Sequence, residues 1–282
     1  MDWLRQIDVE KLLVFSLVLT RTSGLLATAP VYGTQDVPMT VRALLSVILA
    51  ALVMPTQWGA TLPGGDTMLQ YLALAGSELL VGVCLGLGVV MLLSGVQIAG
   101  ELMSRIGGLS LSDVFDPTFN DNTPLFSRLL VLVATAVFVA MGGHRVLMAG
   151  LLDTFQSIPP GSGVAMLLGS GNSGGPDAGL LPSVANLLVT LVAESFQLGV
   201  RISVPVVTAV LLATLVLGLI SRTLPQLNIL VVGFGLNAML TFGVFSLSMG
   251  AIAMAFQAEI EPTLQAVFQV LRLPWPGFGV GS

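Results

Sequence analysis

Residues able to do covalent chemistry are few in this chain and lie far apart. There is 1 His, His144, and 1 Cys, Cys84, which excludes a site needing two imidazoles, a thiolate metal cluster or a disulfide framework. His144 stands beside Arg145, with no carboxylate or serine at a spacing the sequence forces. That suits a structural or interfacial histidine better than a general base. The run Gly161-Ser162-Gly163 lacks the strand–elbow–helix context a nucleophile needs. Glu101 and Arg105, four apart in the favourable order, read as an intrahelical ion pair. No phosphate-cradling loop, dinucleotide fingerprint or metal-ligand set occurs, so neither an enzyme nor a cofactor is expected.

The informative residues are charges placed where lipid should be. Charged residues make up 9% of the 282 and hydrophobic ones 55%, against roughly 25% charged in an average soluble domain. Mean hydropathy is +0.96. These values predict an all-α, polytopic membrane protein with long, kinked helices. Yet Arg21, Arg42, Glu78, Glu194 and Arg201 fall inside or beside apolar runs, and each costs at least ~2.5 kcal/mol near a bilayer centre unless paired or hydrated. Two readings stand. The charges pair within the bundle and fix its packing, or they meet partner subunits that the chain needs to be complete. The proline and glycine load favours partner subunits, because kinked helices free backbone groups that neighbours must satisfy. A formal charge of -5 leaves no basic patch for nucleic acid.

A helix needs about 20 apolar residues to cross the hydrocarbon. Six segments meet or approach that length, at 9–29, 38–55, 67–105, 125–155, 183–219 and 226–256, within a single membrane domain over 1–282. No removable signal peptide is read at the start, because the first apolar run is broken by Arg21 and no small-residue cleavage site follows. Residues 159–182 are rich in Gly and Ser and read as a flexible insertion. Pro205 is expected to kink the fifth segment near Arg201, and Pro225 to separate the fifth from the sixth.

Between the third and fourth segments, residues 101–128 read ELMSRIGGLSLSDVFDPTFNDNTPLFSR. Gly107, Gly108, Pro117 and Pro124 prevent one helix from running through. Large apolar side chains, among them Leu109, Leu111, Val114, Phe115 and Phe119, lie among the acids, where an ordinary water-exposed loop would have little use for them. This stretch is expected to lie in the path of whatever the protein moves. A secondary transporter of small solutes is the alternative; its site would be sought near Glu194, Arg201 and Pro205, but the two halves show no correspondence.

Three runs carry a resemblance. They are RTSGLLATAPVYGTQDVPMTVRALLSVILAALVMP at 21–55, GGLSLSDVFDP at 107–117 followed by GGHRVLMAGLLDTFQSIPPGS at 142–162, and RISVPVVTAVLLATLVLGLISRTLPQLNILVVGFGLN at 201–237. In series and at family-like spacing, they resemble the FliR family of flagellar biosynthetic proteins and its injectisome (SctT-like) counterparts in type III secretion. The resemblance covers about residues 13–271; the Gly/Ser insertion is longer than the family pattern. It implies a non-catalytic export-gate subunit of the bacterial inner membrane, at the flagellar basal body or injectisome base. Its implied partners are FliP-like and FliQ-like subunits, an FlhB-like switch protein and unfolded exported proteins in transit. It further implies a pore plug near 109–119, with Leu111, Val114, Phe115 and Pro117 closing the channel.

Overall fold

The structure, a computed structural model, describes residues 9–30, 32–33, 37–59, 67–108, 124–162, 180–223 and 229–278. Among these residues the chain is helical, with no strand. In chain order the helices are α1 (Val9–Thr28), α2 (Met39–Val53, continued by a 3-10 turn at Met54–Gln57), α3 (Met68–Ile106), α4 (Leu125–Ala140), α5 (Gly143–Ser157), α6 (Leu180–Thr223) and α7 (Ile229–Val270). Five are long and apolar enough to cross a membrane, or six if the bent pair α4–α5 counts as one span. The 39, 44 and 42 residues of α3, α6 and α7 correspond to helices of about 58–66 Å, roughly twice the ~30 Å of hydrocarbon.

The helices keep to the predicted segments at their starts and depart from them at breaks. The fourth segment is two helices, α4 and α5, bent by 63° at Met141–Gly142. Gly142 sits at φ +79, a left-handed conformation that an L side chain adopts only at a cost of about 1–2 kcal/mol. The sixth segment runs on to Val270. Pro205 does not end its helix, because α6 continues through it, as α7 continues through Pro262. One proline removes a single i→i−4 bond, and Ile202, Val206 and Val210 on the same helix are buried, which offsets the loss. Pro225 lies outside the described residues. Of the expected insertion, Pro159–Ser162 is an ordered turn in which the Ser162 amide donates to the Pro159 carbonyl at 3.1 Å.

The chain condenses into two compact units: Met1–Val90 with Val139–Leu191 and Pro262–Ser282, and Met91–Phe138 with Val192–Glu261. In the first, α1 crosses the early turns of α3 with almost no space between backbones. A Cβ on Gly82 would collide with the Arg21 carbonyl oxygen, and one on Gly86 with the Thr28 hydroxyl. Small residues at such a crossing let membrane helices approach closely. Leu17, Leu25, Leu85 and Val89 are buried here. The C-terminal turns of α7 close the unit, with Phe268 against Gly150 of α5.

In the second unit, the later turns of α3 pack on α4, α6 and α7. The Ser127 hydroxyl donates to the Gln97 carbonyl at 3.0 Å, beside the close approach of Gly100 to Ser127. Phe126 sits 5.0 Å and 4.8 Å, ring centre to ring centre, from Phe242 and Phe245 of α7. Aromatic pairs at such separations add about 0.5–1.5 kcal/mol beyond the area they bury.

Candidate functional site

The five charges expected at subunit interfaces divide into different environments. Arg21 on α1 and Glu78 on α3 are both 0% exposed within this one chain. Their assignment to a subunit interface is therefore corrected, since a side chain sealed inside the chain cannot touch a partner. Arg21 Nε donates to Glu78 Oε2 at 2.6 Å and its Nη1 to the Ile158 carbonyl at 3.0 Å. Glu78 Oε1 accepts the Gly161 amide at 2.9 Å. The guanidinium also lies 4.5 Å over the Phe155 ring. Both ions thus gain their attraction where the dielectric is low, and backbone groups of the 158–162 turn meet part of their remaining demand. Gly161 reaches Glu78 at φ +91, again in the region that favours glycine. The cluster ties α1, α3 and the turn after α5 at one point.

Arg201 stands on the outside. Its Nη1 is 3.4 Å from Glu259 Oε1, with side chains 62% and 33% exposed. Phe196, Val200 and Val204 beside it are exposed too. An exposed ion pair on such an apolar helix is costly against bare lipid, so this face suits water or another protein. Next to it lies a cavity of about 420 Å3 bordered by Arg201, Pro205, Ser248 and the small residues Ala251, Ala255 and Ala258. Glu194 is half-buried on α6, two turns before Arg201. Arg42 is half-buried at the start of α2, where Nε and Nη2 donate to the Val37 carbonyl at 3.2 and 3.0 Å. It ties down the chain entering the helix.

The expected plug residues Leu109, Leu111, Val114, Phe115, Pro117 and Phe119 lie outside the described residues. The chain reaching them is described. Gly107 packs against Thr241, Gly108 packs against Phe234 at φ +77, and Pro124 precedes α4 on the other side. The expected pair of Glu101 with Arg105 does not form. Glu101 accepts instead from Gln97 Nε2 at 3.5 Å, and no ion pair joins it to Arg105 among the described residues. Sequence reading missed Glu259, and also Ile158 and Gly161 as partners of the buried pair. Those two act through backbone groups, which leave no mark in the side-chain pattern.

Long apolar helices, sealed charges and an exposed ion pair together define an all-α polytopic membrane protein. The chain belongs to the bacterial export proteins, family 1, whose pattern it matches over residues 12–263. It is 29% identical to the flagellar biosynthetic protein FliR of Bacillus subtilis (strain 168) over 263 residues, 92% of this chain and 95% of that one. It is 31% identical to FliR of Escherichia coli (strain K12) over 229 residues, 80% and 79% of the two chains. With FliR of Aquifex aeolicus (strain VF5) the identity is 30% over 252 residues, 89% and 91%.

Proposed function

We propose that the chain is a non-catalytic subunit of the flagellar type III export gate in the bacterial inner membrane, forming part of the passage for unfolded substrate proteins. The observation that carries this reading is the export-family match over residues 12–263, joined to relatives that are flagellar biosynthetic proteins. Residues 1–282 act as one membrane domain, to which α3, α4, α6 and α7 each contribute on both sides of the division into two units. FliP-like and FliQ-like subunits and an FlhB-like switch protein are its partners. The exposed Arg201–Glu259 pair supports a protein-facing or water-facing surface on α6 and α7, and Arg42 and Glu194 belong to the same class of partner-facing charge.

Residues 109–119 form the plug. A narrow ring of apolar side chains dewets and stops ions, yet it parts for an unfolded chain without offering a sticky site. Deleting 109–119 is expected to leave assembly largely intact while making the membrane leaky to small ions. Conductance unchanged in cells carrying the deletion would remove the plug assignment. It would leave the export role to be tested by secretion of flagellar substrates.

A further inference from the structure

A cavity of about 390 Å3 opens at the bend between α4 and α5 and shares no lining residue with the sites above. Its polar lining residues are His144 and Arg145, beside Gly142. Its apolar side includes Val139, Pro276 and Phe278. Among the described residues, no Asp or Glu lines it. Arg145 is exposed and joins no ion pair among the described residues. His144 Nδ1 is buried and makes no hydrogen bond in the structure. The helix beginning here adds to the positive field. The amides of Arg145 and Val146 bond to the Gly142 carbonyl at 2.8 and 3.3 Å, and those of Gly143 and His144 precede them at the positive end of α5. The segment carrying Pro276 and Phe278 is held by edge-on ring contacts: Trp275 meets Phe268 at 5.2 Å and Phe278 at 5.7 Å.

We propose that this cavity binds the phosphodiester headgroup of an anionic membrane phospholipid. An exposed cation with no acid among the described residues lining its cavity, in a chain of formal charge -5, selects for negative charge. The volume falls in the roughly 300–1,000 Å3 range of small-molecule pockets, larger than one inorganic ion needs, and the apolar walls suit a ligand carrying an apolar body on its phosphate. Basic pockets between membrane helices take acidic headgroups for this reason, and a tryptophan such as Trp275 is at home at the membrane–water boundary. Free phosphate could use the same donors but would leave the apolar wall wet.

The full chain, purified with the subunits that accompany it, is placed in nanodiscs of phosphatidylcholine with or without phosphatidylglycerol. Phosphatidylglycerol is expected to be retained on the protein above its share of the bulk lipid. A photoreactive phosphatidylglycerol should cross-link to peptides carrying residues 139–149 and 276–278. Arg145→Gln should lower the retention about tenfold, the scale of one charge-assisted hydrogen-bonded contact. Arg222→Gln, at the exposed end of α6, should leave it unchanged. Cross-links confined to other peptides, or equal retention by Arg145→Gln, would overturn the proposal. So would inorganic phosphate that, in phosphatidylcholine discs, shields Arg145 from an arginine reagent as well as the lipid does, because the source would then be free phosphate. Should Arg145→Gln not assemble, the cross-link map of the unaltered protein decides.

Discussion

Arg21 and Glu78 carry opposite charges into the buried interior of the first unit, and each balances the other's charge there. Removing one partner of a buried pair leaves an uncompensated charge and typically costs about 3–5 kcal/mol, whereas replacing both with well-packed apolar residues is often neutral or better. Glu78→Gln is therefore expected to lower the thermal midpoint of the detergent-solubilised protein sharply. The double change Arg21→Met with Glu78→Met should recover most of that loss; a double variant as unstable as the single one would sink this account. Arg272 offers a prediction of opposite sign. It ends α7 at φ +54, with the Leu273 amide on the Phe268 carbonyl at 2.8 Å and its own amide on the Gln269 carbonyl at 3.0 Å. This is the helix end at which glycine is preferred. Arg272→Gly should gain about 1 kcal/mol, read as a higher midpoint with unchanged oligomeric state.

Helices in this chain are positioned by how closely their backbones approach. At the α1–α3 crossing, a methyl on Gly82 would meet the Arg21 carbonyl, a backbone atom that cannot swing aside. Gly82→Ala should cost about 1–3 kcal/mol through overpacking, and it should also strain the Arg21–Glu78 pair beside it. Gly76, on the same helix two turns earlier, has nothing within 4 Å of such a methyl. There alanine should stabilise by up to ~1 kcal/mol through helix propensity alone. Thermal melts of the two variants side by side test the point, and equal effects would mean that the crossing is looser than the structure shows. Proline acts less decisively than glycine in these elements. Pro205 and Pro262 sit inside continuous helices, whereas the bend between α4 and α5 falls at Gly142.

The whole molecule leaves apolar surface uncovered in each of its two units. Leu44, Ile48 and Leu52 of α2 are more than half exposed in the first, as are Leu212, Leu215 and Leu247 of α6 and α7 in the second. Lipid can cover such residues, but not the Arg201–Glu259 pair beside Phe196. The chain expressed alone is therefore expected to be degraded or to aggregate. Co-expression with its neighbouring reading frames should give a heteromer of fixed stoichiometry on a sizing column. A monodisperse, folded monomer in detergent would count against the export-gate reading and favour a self-sufficient transporter.

Hydrophobicity is a sum over neighbouring residues, so the sequence alone determined the all-α class, the apolar segments and, through three ordered motifs, the family. It could not determine which charges meet, because Arg21 and Glu78 stand 57 residues apart and their pairing depends on the crossing that Gly82 permits. Nor could it show that the last helix would run on through Pro262, since the loss of one backbone bond is weighed against burial that only the packed chain supplies. Tertiary structure thus decided that two of the five membrane charges are sealed within the chain and that Arg201 is left at the surface.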